Sequence, residues 1–182
     1  MNSSENPLIE RAATYFTQLS SAAKDLNKAS DDLGLAINAI DAALQKLNLG
    51  VPTWVKIHNS DDPYSGYWSR DIGYSRVGKK WGIALCTREG DYNFPEDEAR
   101  EEWLFNDAPR WLRVEGITKI PDLLEALVKK TKETTDKIKG KTAEAKNLAS
   151  AIMLAAGKGG AVSDQVLEKA IRDLMITPKA SK

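Results

Sequence analysis

From Ile9 to Leu47 apolar residues return every three or four positions: Ile9, Ala12, Phe16, Leu19, Ala23, Leu26, Ser30, Leu33, Ile37, Ile40, Leu44 and Leu47, with Ser30 the one polar member. A strand alternates with period two, so this spacing demands a helix, and alternating steps of three and four are the period of a coiled-coil seam. Asn6 is placed to cap it with Pro7 in the first turn, while Gly50 and Pro52 stop it after Leu49. About 42 residues at about 1.5 Å each predict a rod about 60 Å long.

A second seam runs through Ile120, Leu124, Leu127, Thr131, Thr134, Ile138, Lys141, Ala145, Leu148, Ile152 and Ala155. It predicts a helix from Ile120–Pro121 to Ala156, apolar at both ends and polar in the middle. Two long helices of this kind predict an antiparallel hairpin, loosest where Gly34 lies opposite Gly140 and the threonines. Beside the first seam, Leu8, Tyr15, Ala22, Ala29, Ala36 and Ala43 form a second stripe. A two-stranded coil needs only the narrow seam, so the wider face predicts a bundle in which two copies of the chain pair as a homodimer. After the break at "AAGKGGAVS", Ser163 is placed to cap a short last helix with an apolar face of Val166, Leu167, Ala170, Ile171 and Leu174. That helix is too short to cover the rod.

The middle of the chain differs in kind. All five tryptophans lie between Trp54 and Trp111, in a segment with period-two alternation. "YWSRDIGYSRV" and "WGIALCTR" around Gly78 predict a hairpin, and "TWVKIH" a third strand. "NSDDPYSG" has turn composition. "NFPEDEAREEWLF" is compatible with an acidic loop leading into a strand or with a short helix. "NDAPRWLRVEG" predicts a short helix capped by Asn106 or Asp107. Trp68, Arg70, Ile72, Tyr74 and Arg76 share one strand face, and Trp, Tyr and Arg dominate interaction hot spots. Trp68, Tyr74, Arg70 and Arg76 are therefore the candidate partner-binding face, against the alternative that the tryptophans form the core of a small sheet.

Chemistry is sparse. His58 is the only histidine and Cys86 the only cysteine, which excludes a histidine pair and an intramolecular disulfide. His58 with Asp61 and Asp62 lacks defined metal-ligand spacing, and Cys86 has no neighbouring base in sequence. No catalytic residue, metal ligand or cofactor is expected. With 26 basic and 26 acidic residues the chain carries no net field toward nucleic acid, which is not expected as a partner despite the lysine-rich residues 119–182. The longest apolar run, "LASAIMLAA", is too short for a bilayer, and the N-terminal residues do not resemble a signal peptide. A cytoplasmic protein is expected.

Together these features predict an α+β protein. A long antiparallel, coiled-coil-like helical hairpin (1–50 and 119–157) carries a small Trp-rich antiparallel β module (51–118) at its tip, and 158–182 form a Gly-rich connector and short C-terminal helix. The helix–β–helix order resembles that of prefoldin subunits, whose paired terminal helices flank β-hairpins that assemble the complex; the resemblance is one of architecture and implies a chaperone role. The residues themselves point to a non-enzymatic interaction or scaffolding protein that self-associates through its helices and meets an unidentified protein partner through the β module. The alternative is a sensor with the aromatic face as receptor for a ligand or nucleic acid.

Overall fold

A computed structural model describes residues 7–62, 66–158 and Lys169. Helix α1 (Pro7–Lys46) precedes four strands, β1 (Thr53–Asp62), β2 (Gly66–Val77), β3 (Lys80–Asp91) and β4 (Phe94–Leu104). A 3-10 turn (Phe105–Asp107), α2 (Arg110–Ile117) and α3 (Ile120–Lys158) follow. The chain divides into two units, 1–130 and 131–182; the described part of the second is the remainder of α3, together with Lys169. The Asn6 cap, the Ser163 cap and the apolar face from Val166 to Leu174 lie outside the described residues.

The strands form an antiparallel meander in the order β1-β2-β3-β4. The predicted hairpin is present: Val77 pairs with Lys80, and the two-residue turn opens on Gly78 at φ 59°. A positive φ in the first turn position matches the right-handed twist of the strands, and glycine adopts it without steric cost. Asn59–Asp62, read from composition as turn, continue β1 and pair with β2. The acidic segment is a strand from Phe94 to Leu104: Arg88 pairs with Arg100 and Leu85 with Trp103. At the other end of α1 the helix stops at Lys46, and Asn48 takes φ 48° before Gly50 turns the chain into β1.

Alternation sorts the sheet into two faces. On one, Ile72 and Tyr74 of β2 join Ile83 and Leu85 of β3 in the core, with Ile57 of β1. The helical side of that core is Ile37 and Leu44 of α1, Phe105, Leu112 of α2, and Ile120, Leu123 and Leu127 of α3. Each such Ile or Leu side chain contributes about 1.5–3 kcal/mol by leaving water. On the opposite face Trp54 lies over Gly73 so closely that a Cβ there would meet its ring at 2.4 Å. Asp71, also on that face, is buried with Ser69 and Arg88 bonded to its carboxylate.

These contacts overturn the helical hairpin. The α1 seam is divided: Leu33, Ile37, Ile40 and Leu44 pack into the sheet core, whereas Ile9, Phe16, Leu19 and Leu26 are exposed. Gly34 sits against Asn106, whose amide donates to the Gly34 carbonyl at 3.3 Å and to Asn38 Oδ1 at 2.8 Å. Asn106 therefore ties the 3-10 turn to α1, and neither it nor Asp107 caps α2, whose N-cap is Pro109. In α3 Ile120 and Leu127 of the expected seam are buried, but Leu123, outside it, is fully buried between them while Leu124 of the seam is 40% exposed. The order is one helix, a four-stranded sheet, then helices, and the sheet organises the core. The α+β class stands; the coiled-coil-like hairpin with a module at its tip does not, and the architectural likeness to prefoldin subunits loses its basis with it.

α1 also closes an edge. β4 ends its pairing at Ala84, leaving Trp81–Ile83 of β3 with edge groups to satisfy. Asp41 Oδ1 accepts the Ile83 N–H at 2.9 Å, and Gln45 Nε2 donates to the Trp81 carbonyl at 3.0 Å. Two helix side chains thus substitute for a strand.

Candidate functional site

The far end of the core face, past Ile72 and Leu85, is where the apolar filling stops and polar residues begin. Across the strands the register there reads Trp68–Glu89–Ala99 in one row and Arg70–Thr87–Glu101 in the next. α2 places Trp111 and Glu115 above them. Spaced by four, these two lie on one helix face.

Arg70 is the centre of this arrangement. Its guanidinium lies 4.9 Å from the Trp68 ring centroid and 4.6 Å from that of Trp111. Its Nη1 donates to both Glu115 oxygens, at 3.1 and 3.0 Å. A cation between two indole faces gains from both ring quadrupoles, and Arg combines this stacking with its hydrogen bonds where Lys would not. The result is a rigid bracket joining β2 to α2, with Trp68 37% and Trp111 47% exposed. Around it lies an open cleft of about 530 Å³, lined by Trp68, Arg70, Thr87, Glu89, Ala99, Glu101 and Trp111 among others.

Of the four residues expected to form a binding face, Trp68 and Arg70 are brought together here. Tyr74 is 2% exposed and belongs to the core, its ring stacked on Trp81 with centroids 5.6 Å apart. Arg76 shares the strand face but is exposed next to the hairpin turn and does not line the cleft. Trp111, Glu115, Glu89 and Glu101 were not singled out from sequence. The four-residue spacing of Trp111 and Glu115 was a readable signal; the two strand acids required the register of β3 on β4.

The tryptophans therefore divide between both expected roles. Trp81 and Trp103 pack against the core, Trp54 covers the opposite face, and Trp68 and Trp111 wall the cleft. All six residues of the predicted oligomerisation stripe, Leu8, Tyr15, Ala22, Ala29, Ala36 and Ala43, are exposed.

Elsewhere, Cys86 is buried on the face opposite Ile83 and Leu85, and burial raises its thiol pKa. His58 is exposed on β1, and Asp61 accepts a hydrogen bond from the Tyr92 hydroxyl. No three His, Cys, Asp or Glu side chains converge as a metal set among the described residues. No helix of the described residues is long and apolar enough to cross a membrane. No family model, curated protein or solved structure matches the chain.

Proposed function

We propose that this is a non-enzymatic interaction protein that self-associates through α1 and meets a protein partner through the Trp68–Trp111 end of its sheet. The observation that carries the reading is the bare half of α1. Phe16 is 72%, Leu19 65% and Tyr15 58% exposed, on a helix whose other half is anchored in the core. Large contiguous apolar patches on a soluble surface mark sites of association. Ala22 and Ala29 on the same stretch permit a second helix to approach within the 8–10 Å typical of packed helices. The weak nucleophilicity of a buried Cys86 thiol with a raised pKa agrees with a role outside catalysis.

A second reading, a small-ligand receptor, draws support from the cleft, whose volume of about 530 Å³ lies within the range of ligand pockets. Its openness and the bare helix favour a macromolecular partner.

Self-association is tested by Tyr15→Glu with Ala22→Glu. Both positions are exposed, so the charges leave the fold intact while setting like charges against any second copy. Light scattering is expected to show the unmodified protein above the mass of one 20.0 kDa chain and the double variant at it. An unmodified protein that runs as a monomer at tens of micromolar overturns the assembly.

A further inference from the structure

From the balance of charge in the cleft, we infer that it receives a lysine or arginine side chain from an extended segment of the partner protein. The inference rests on the partner-surface half of the reading above and names the chemistry that half leaves open. Both cations that line the cleft are already engaged. Arg70 is held by Glu115, and Arg88 donates to Asp71 Oδ2 at 3.0 Å. Glu89 and Glu101 line the same cleft, and neither side chain takes part in any ion pair or side-chain hydrogen bond among the described residues. Two carboxylates are thus left to set its unspent charge.

The walls point the same way. Indole faces carry negative potential, and the protein already seats one guanidinium between Trp68 and Trp111. Both rings remain partly open, so a second cation at the mouth meets aromatic edges and faces beside two free acids. The floor at Thr87 and Ala99 is low, and Ala99 opposite Glu89 leaves room for an aliphatic stem to lie along the sheet. Lysine and arginine combine such a stem with a charged head. Nucleic acid fits poorly, because its phosphates would face Glu89 and Glu101. A carboxylate ligand would have to displace Glu115 from Arg70.

The test is titration of the full chain with a short fluorescein-labelled oligolysine peptide, read by anisotropy, with an oligoglutamate peptide of equal length as comparison. The expected result is saturable binding of oligolysine only, with the indole N–H resonances of Trp68 and Trp111 moving during the titration. Glu89→Gln with Glu101→Gln is expected to weaken binding about tenfold. A pair that removes the same charge elsewhere on β4, Glu96→Gln with Asp97→Asn, is expected to change it about twofold or less. Far-UV circular dichroism checks that each variant retains its sheet. Equal loss in both pairs, unmoved Trp68 and Trp111 resonances, or no oligolysine binding overturns the proposal. A chain that proves monomeric by light scattering removes the α1 assembly and leaves this result standing.

Discussion

Asp41 shows how much a single side chain carries when its partner lies in a different element. It accepts the Ile83 N–H across 42 residues, and burial raises its pKa against the lowering effect of that bond and of Gln45. A raised folded pKa means that the native state holds the proton more tightly than the unfolded chain. Stability therefore rises as pH falls through the folded value toward the unfolded one, and the charge is a cost above both. Asp41→Asn keeps an oxygen for Ile83 and removes that charge, so urea unfolding should show no loss at neutral pH and a flatter dependence on pH above the ordinary aspartate range. Asp41→Ala leaves the Ile83 N–H without its acceptor and should cost about 1–3 kcal/mol. Equal losses for the two variants would refute this account. Ser30 makes the same point about reading a sequence. It is the flaw in the heptad, yet its hydroxyl accepts Arg113 Nη2 at 2.8 Å from 83 residues away. No local pattern contains that partner, just as none showed that Asn106 would bond α1 and leave α2 without a side-chain cap.

Among the elements, α1 is two helices in energetic terms. From Asn27, which accepts Arg110 Nη2 at 3.0 Å, to Gln45, it is tied to α2, the 3-10 turn and β3. Before Asn27 its apolar side chains face outward. Helices gain most of their stability from tertiary packing, so the free half should open more readily in a lone chain. Amide exchange in residues 8–26 should slow as protein concentration rises, whereas exchange in 33–44 should stay constant. Concentration-independent exchange in both halves would detach the bare face from self-association. The long helices and the β2–β3 hairpin were legible because each satisfies its own period, helped by Gly78 at the turn. β4 was not, because an acidic edge strand exposed along most of its length shows no alternation until its pairing with β3 supplies it.

For the molecule as a whole, the sequence left open what the helix seam packs against. A stripe such as Leu33, Ile37, Ile40 and Leu44 fits a second helix or a sheet equally well, and here the sheet takes it. The cleft was half legible: alternation placed Trp68 beside Arg70, but only the folded chain brings Trp111 and Glu115 onto them. β4 is an outer strand, and an outer strand is a template on which another sheet can grow into a fibril. Arg100 on this strand is spent on Glu102, which leaves Glu96, Asp97, Glu98 and Glu101 as an excess of negative charge, so two such edges repel before their backbones can pair. Replacing Glu96, Asp97 and Glu98 with their amides should lift that repulsion at neutral pH, and thioflavin fluorescence on prolonged incubation should then rise in the variant and stay flat in the parent. A variant as quiet as the parent would mean that the edge is guarded by its geometry and needs no charge.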